Sequence, residues 1–464
     1  MKTITLPAQE CAVVSEVDVL VVGGGAGGIG AAVGAAQNGA SVAIVEYFGC
    51  LGGLLTSGYI TNCEAAVAVS GDNILIKGVF ERLVDKMVAM GGAIRGYELA
   101  QTNKYYPFDH SRCEKDLQIT PWEPETFKLA ADELMEENNI QTFYYTMVTK
   151  ILMDGNKVTG AVIENRSGRQ VILAKRIIDC SGNLTVAIGA GAECRGVGFK
   201  GAMTLMFRVG NVKNVVPTYK PNVPEVPYGA VNFFPLLREG EFRVEMTRYK
   251  GSENDAEDWT KGTIACRKQC KMILQYLKKN WTGFDDAYII DSAPSIGTIC
   301  QPHLVGEKSM TKEIILNQEV MDDRIAITAY GIDLHSPDVG GQNVLYYLEP
   351  GQYYGVPYGV MVPKSPIENL LVAGKSVSAE EDATSGVLCS GICMAMGEAA
   401  GTACAISIQD DVTPRNIDIK KVQRLLLEHG AILDPVPVPK RNSYPVYESI
   451  LDKDPELKKR YLGK

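Results

Sequence analysis

No CxxC motif occurs anywhere in this 464-residue chain, although it carries twelve cysteines. The closest pairs, Cys266/Cys270 and Cys389/Cys393, lie four apart in helix-like stretches, and the rest are scattered singly. Structural zinc and iron–sulfur clusters need grouped thiolates, so no metal is expected and the thiols read as small buried side chains of a reducing compartment. Basic excess is missing too: 46 Lys and Arg against 55 Asp and Glu leave a net charge of −9. That balance suits a cytoplasmic protein and excludes nucleic acid as partner, since phosphate binding needs a basic patch. The opening MKTITLPAQE has no apolar core, so no signal peptide is expected. One charge-free run, Val19 to Ala36, approaches the ~20 residues that span a bilayer. Seven of its 18 residues are glycine, which makes it a poor membrane helix and a better strand with a glycine turn; no membrane span is expected. No internal repeat is visible, and histidine is scarce, with four in the chain.

Glycine is what the chain has in excess. There are 47, about a tenth of the residues against a usual ~7%, which calls for many tight turns or close approaches of backbone to a ligand. Apolar residues at 46% and charged residues at 22% are values of an ordinary folded enzyme. At roughly 150 residues per domain the length suggests about three units.

The first glycine cluster has a mechanism. Val17 to Val22 (VDVLVV) is a β-branched apolar run that ends in GGGAGGIGAAVGAAQNGA. Gly23, Gly25 and Gly28 form GxGxxG: one glycine for the sharp turn, one for the approach of backbone to a pyrophosphate, one for helix-on-strand packing. Ala26 and Gly27 open the helix, whose free N–H groups and dipole favour phosphate. Ser41 to Val45 reads as the next parallel strand. Glu46 stands at its end, eighteen residues past Gly28, where a carboxylate accepts hydrogen bonds from a ribose diol and repels a 2′-phosphate.

A second glycine pair, Gly52 and Gly53, follows at once, ahead of Thr56. A simple NAD dehydrogenase would continue into its next helix, so a second close backbone approach points to a larger cofactor running past. Thr142 to Gly182 reads as a meander turned at Asp154-Gly155-Asn156 and Ser167-Gly168, closing in a buried strand, Arg176 to Asp179, and the turn Ser181-Gly182-Asn183. Asn369 to Ala405 reads as a strand, NLLVAG, and a small-residue helix that starts near Ser390 and Gly391. A cofactor sheet built from both ends of the chain results.

These motifs resemble those of the FAD-dependent oxidoreductases of the glutathione-reductase-like superfamily, and within it the bacterial group distantly related to fumarate reductase and succinate dehydrogenase flavoproteins. The likeness rests on VVGGGAGG, LGGLLTSG, DGNKVTGAVIENRSGRQVILAKRIIDCSGN, MTLMFRVGNV, YGIDLHSPD and NLLVAGKSVSA with CMAMGEAAGTACA, and covers about residues 15 to 435. It implies an α/β fold: a Rossmann-like FAD-binding domain, with a central parallel sheet plus β-meander, and an inserted α+β substrate-binding cap. The boundaries expected are 1–100, 120–195 and 350–435 for the FAD-binding domain, 196–349 for the cap with the 100–120 insertion contributing, and 436–464 for a tail. Non-covalent FAD is implied, with Gly23, Gly25, Gly28 and Glu46 on the ADP half and Gly52, Gly53 and Thr56 flanking flavin and pyrophosphate. Val148 meets the adenine through its backbone. Ser181 and Gly182 line the adenosine side, Gly374 meets the ribityl chain, and Gly386, Ser390 and Gly391 lie where the late helix aims its N-terminus at the flavin.

Departures from the resemblance narrow the substrate. Ile299, Pro302 and His303 stand where the family carries cap arginines, and Glu381 and Leu388 stand where it carries a histidine and an arginine. Arginine forks bind carboxylates bidentately, so a fumarate-like dicarboxylate is not expected and a neutral or weakly charged small molecule is. The search for a proton carrier yields His303 in the cap, His335 in DLHSPD, Glu381 half buried against the flavin, Tyr358 and Arg208. Four of these have a plainer alternative: a turn histidine for His335, a turn anchor for Glu381, packing for Tyr358, an ordinary ion pair for Arg208. His429 reads as a helix C-cap and His110 as an exposed loop residue. Cys50 sits before the second glycine pair and Cys63 ten residues past it, unlike the thiol pair of flavin disulfide reductases.

The expected function is an FAD-dependent oxidoreductase moving a hydride between flavin N5 and a small organic substrate, oxidising an alcohol or saturated carbon or reducing an activated alkene. The competing reading is a flavoprotein subunit of an electron-transfer complex. Either needs an external electron donor or acceptor, a protein or NAD(P)H. The Pro- and Lys-rich tail either wraps a neighbouring subunit of a homo-oligomer or trails across the surface.

Overall fold

The computed structural model describes residues 3–5, 7–63, 69–70, 73–96, 120–213, 223, 232–245, 247–298, 302–334, 344–346, 348–349 and 351–438. His110, Ile299, His335, the 100–120 insertion apart from its last residue, and the tail from 439 lie outside the described residues.

The apolar run at the start becomes β1 (Ala12–Val22), five residues longer at its front than the β-branched core alone suggests. The helix α1 (Ala26–Ala36) and strand β2 (Val42–Val45) complete the βαβ unit. Next come α2 (Val79–Ala89), α3 (Pro124–Glu137) and the short β3 (Gln141–Phe143). The meander is β4 (Met147–Asp154), β5 (Lys157–Asn165) and β6 (Gly168–Asp179). Then follow β7 (Lys200–Thr204), β8 (Phe207–Gly210), β9 (Asn232–Pro235), β10 (Phe242–Glu245), β11 (Tyr249–Ser252), α4 (Ala256–Asn280), β12 (Tyr288–Ser292) and β13 (Gly297–Thr298). The chain returns through β14 (Leu370–Val372), α5 (Ser390–Gln409) and α6 (Ile419–Glu428).

One seven-stranded sheet runs in the order β3-β2-β1-β6-β5-β4, with β14 beside β6. Strand β6 belongs to two arrangements at once. Its first half pairs antiparallel with β5, and its second half pairs parallel with β14, while β1 runs parallel along most of its length. The buried strand expected at Arg176 to Asp179 is thus the continuation of the third meander strand. In that far half only the last three residues, Ile177, Ile178 and Asp179, are buried in succession, where β1 and β14 flank the strand on either side.

Helices α1 and α5 cross over this sheet through glycine. A Cβ added at Gly30 would collide with the Met394 carbonyl, one at Gly397 with the Gly27 carbonyl, and one at Gly401 with the Ala31 carbonyl. Backbone thus packs on backbone, which is why α5 consists of small residues. Among the described residues α5 is long and apolar enough to cross a membrane, yet 89% of its apolar window is buried in the core; the run at 19–36 is a strand, a turn and a helix instead.

A second hydrophobic core gathers residues of β7 to β10 and β12 with Cys266, Cys270, Ile273 and Leu277 of α4. It is built on a four-stranded antiparallel sheet, β9-β10-β8-β12, and a three-stranded one, β11-β7-β13. Asp255 caps α4, accepting from the amides of Glu257 and Asp258. Residues 304 to 332 pack into the first core, although the expected cap boundary had grouped them with the second. Tyr59 makes the opposite crossing: it leaves the glycine turns and enters the second core.

Candidate functional site

Four turns leave the carboxyl ends of the parallel strands, the edge at which open α/β sheets bind ligands. Backbone hydrogen bonds lace them together. Gly23 N donates to Val45 O, Gly52 N to Gly24 O and Cys180 N to Val22 O, each at 2.8 Å, and Ala373 N donates to Asp179 O at 3.0 Å. A Cβ at Gly28 would collide with the Gly23 carbonyl oxygen, and Gly23 itself has φ +98°, so both positions require glycine. At Gly25, by contrast, an added Cβ would meet nothing within 4 Å. That open face lies over the start of α1, whose first turn has no side-chain cap. Gly52 bridges to Gly25, Gly53 would put a Cβ 3.1 Å from Gly25 Cα, and Gly374 lies behind Gly27 at 3.1 Å from a Cβ there. The result is a groove walled by backbone and floored by helix N–H groups that no side chain caps among the described residues.

Two buried carboxylates hold the groove in shape. Glu46 accepts from Gly24 N at 2.6 Å with one oxygen and from Phe48 N at 2.7 Å with the other. Burial pushes its pKa up, and those amides oppose the rise. Each oxygen keeps a second lone pair, so a diol can share the carboxylate with the turn. Asp179 accepts from the amides of Ser181, Val186 and Ala187 and from the Ser181 hydroxyl. Its pKa too is raised by burial.

Residues 18–426 match the family model described as FAD dependent oxidoreductase. The chain belongs to the FAD dependent oxidoreductase family. It is an enzyme family, and FAD is its cofactor. No curated protein matches the chain. Among solved structures it is similar in fold to a geranylgeranyl bacteriochlorophyll reductase-like protein from Thermoplasma acidophilum (15% identity, TM-score 0.46, 89% of this chain and 84% of that one). It is also similar to p-nitrophenol 4-monooxygenase from Pseudomonas putida (13%, TM-score 0.47, 89% and 85%) and to a flavoprotein/dehydrogenase from Cytophaga hutchinsonii (17%, TM-score 0.45, 89% and 82%).

FAD fits the residues present. The open face at Gly25 and the uncapped start of α1 suit a pyrophosphate, Glu46 suits a ribose diol, and the start of α5 also lacks a side-chain cap. Val148 is buried in β4, whose approach is tied to Glu46 by a bond from Thr146 N to Glu46 O. Other expected cofactor residues have protein partners of their own. Thr56 is fully buried and donates to Leu51 O at 2.7 Å, which staples the Gly52 turn. A Cβ on Gly386 would lie 2.6 Å from the Tyr354 hydroxyl, so that glycine answers to packing. Ser390 and Gly391 form the buried first turn of α5.

The proton-carrier candidates among the described residues do not assemble. His303 comes nearest the groove: Leu304 N donates to Ser376 O, two residues past Gly374, and His303 Nδ1 lies 2.9 Å from Val377 O. Burial drives its pKa down to about 4, so the ring is neutral, Nδ1 donates to that carbonyl, and it is no acid near neutral pH. Tyr358 donates to Pro414 O at 2.7 Å and its pKa is pushed far up by burial; it is a packing residue. Glu381 is exposed at the head of a single turn, Glu381–Ala383, instead of half buried. His429 is the C-cap of α6 as its sequence context suggests.

Arg208 has the most revealing surroundings. Its Nε and Nη2 engage both Asp291 oxygens at 2.9 and 2.5 Å, its guanidinium lies 5.1 Å over the Tyr59 ring, and Nη1 is 3.7 Å from Glu123. Tyr59 holds a left-handed backbone, φ +59°. Burial out of water, and then the neighbouring Asp291, push its hydroxyl up to about 12. Glu123 Oε1 is buried without a hydrogen-bond partner among the described residues, and its pKa is raised by burial. Trp122 ties Glu123 to the loop after the glycine pair, donating from its backbone to Thr61 O and from its indole to Leu55 O. Neither Tyr59 nor Glu123 carries a local signal; only the meeting of distant segments reveals them. Replacing Arg208 by Met is expected to lower stability by about 2 kcal/mol in urea unfolding. That is less than the ~3–5 of a fully buried pair because 32% of the Asp291 side chain is exposed. Unchanged stability would mean that solvent already screens the pair.

Proposed function

We propose that this enzyme moves a hydride between flavin N5 and a small, neutral or weakly charged organic molecule, and that it belongs to the glutathione-reductase-like branch of flavoproteins. The observation that carries the substrate reading is the commitment of Arg208. Both of its fork positions are taken by Asp291, so it has no bidentate face left for a substrate carboxylate. Bound FAD supplies the hydride chemistry, and the protein supplies orientation and one proton.

Glu123 replaces Glu381 as the group we assign to that proton. It has the raised pKa and unpaired buried oxygen of a carboxyl poised for acid–base work, and it stands at the junction of the groove loop and the second core. In this reading residues 1–100, 120–195 and 350–435 bind the cofactor and the inserted sheets cap the substrate. Electrons leave to an external acceptor in the cytoplasm, and Asp291 with Arg208 hold Tyr59 against the substrate side.

An anaerobic panel of alcohols, saturated and unsaturated small metabolites tests this. A neutral compound should bleach the flavin band, and Glu123→Gln should slow that bleaching by about 100-fold or more while leaving the visible spectrum unchanged. Bleaching by dicarboxylates alone would overturn the substrate class. Full-rate bleaching in the Gln variant would remove Glu123.

A further inference from the structure

Lys375 follows Gly374 directly, and its stem lies over Gly182, where an added Cβ would meet Lys375 Cε at 2.9 Å. Its ammonium then leaves the cofactor turns. It donates to the two Glu253 oxygens at 3.0 and 3.1 Å and to Thr298 Oγ1 at 3.3 Å, and the Thr298 hydroxyl donates to Glu253 Oε2 at 2.5 Å. The pair is largely out of water, with side-chain exposures of 17% for Lys375 and 8% for Glu253. Glu253 directly follows β11 and Thr298 ends β13, the two outer strands of the inserted three-stranded sheet. Glu253 is fixed in turn through its carbonyl, which accepts from the Trp259 indole of α4 at 2.8 Å.

The neighbouring residue repeats the contact. Asn254 Nδ2 donates to Asn183 O at 3.4 Å, and Ser376 Oγ donates to Gly182 O at 2.6 Å, joining the two cofactor turns to each other. The inserted sheets therefore rest on the turns 182–183 and 374–376, the same turns whose glycines wall the groove. Burying an ion pair costs desolvation that its attraction only roughly offsets, so what this pair contributes is a fixed arrangement of the two parts.

We propose that the Glu253–Lys375 pair couples seating of the inserted sheets to occupancy of the FAD groove, which makes both of them positioning residues. The inference rests on Gly182 and Gly374 belonging to that groove. Cofactor that orders the two turns presents Lys375 to Glu253, and by reciprocity the seated sheets raise the affinity for FAD.

Electrostatics alone makes the opposite prediction for one substitution, which gives a clean test. Glu253→Gln removes a negative charge near a site for an anionic pyrophosphate, and Coulomb's law by itself then calls for tighter FAD binding. The coupling calls for weaker binding, by about 5- to 10-fold in the dissociation constant, read by fluorescence titration of the apoprotein with FAD. The exchanged pair, Lys375→Glu with Glu253→Lys, should recover most of the loss. Thr298→Val, which removes the hydroxyl's bond to Glu253 and the bond it accepts from Lys375 while keeping both charges and the side-chain shape, should weaken binding by about 2-fold. Hydrogen exchange gives a readout independent of affinity: FAD should protect residues 249–254 and 297–298 in the wild type, and protect them less in Glu253→Gln. Unchanged or tighter binding in Glu253→Gln, or equal protection in variant and wild type, overturns the coupling. If FAD binds the wild type without protecting 182–183 and 374–376, the groove assignment itself fails, and that result is separate from the first.

Discussion

Gly25→Ala should leave the FAD-free protein as stable as the wild type and yet weaken FAD binding by about 100-fold or more, close to 3 kcal/mol. The reason lies in the contrast between two glycines three residues apart. At Gly25 the backbone is extended, φ −68° and ψ −171°, a conformation that alanine adopts freely, and the added methyl faces open space. In the groove proposed for FAD, that is the space the cofactor would take. At Gly28 the added methyl runs into the Gly23 carbonyl oxygen, so Gly28→Ala must push α1 off β1 and should destabilise the protein by several kcal/mol, at or above the ~1–3 of ordinary overpacking. Thermal unfolding of the apoproteins and titration with FAD separate the two. A drop in the melting temperature of Gly25→Ala, or wild-type FAD affinity in that variant, would mean that the groove does not pass over Gly25.

Glu398→Gln should change how stability depends on pH. Glu398 lies in the middle of α5 with 1% of its surface exposed. One oxygen accepts from Val79 N at 3.0 Å and the other from the Gln37 side chain at 3.4 Å. Burial raises its pKa from 4.5 to about 7, against the opposing pull of those hydrogen bonds and of Arg82. A carboxyl whose pKa is higher folded than unfolded favours folding in its protonated form. Its contribution is intact below pH 4.5 and is lost as pH rises toward 7, because the unfolded chain gives up the proton first. Integrated over that window the loss is about 3 kcal/mol. The Gln variant should therefore be more stable than the wild type above pH 7, by up to that amount, and the difference should shrink toward pH 4.5. Urea unfolding of both proteins across this range measures it; parallel stability curves would show that Glu398 stays ionised in the fold.

Much of the candidate groove is legible in the chain because the signals are local. The β-branched run, the GxGxxG turn, Glu46 at the end of the next strand and the small-residue helix each follow from constraints within about 30 residues, where spacing and residue type reflect backbone geometry directly. The same locality hides the neighbours that folding supplies. Gly386 resembles the other glycines in sequence and meets Tyr354 in the fold, and Glu381, expected half buried, stands on a turn that faces water.

By itself, the sequence determined the class of fold and the cofactor, and it marked the glycine turns that the structure gathers at one edge of the sheet. Tertiary structure alone decided where the charges go. Arg208 meets Asp291 across 83 residues, Lys375 meets Glu253 across 122, and Glu398 meets Val79 across 319. A buried charge must find a partner or be neutralised, and which partner is near depends on which distant segments the fold lays side by side. No periodicity in the chain records that.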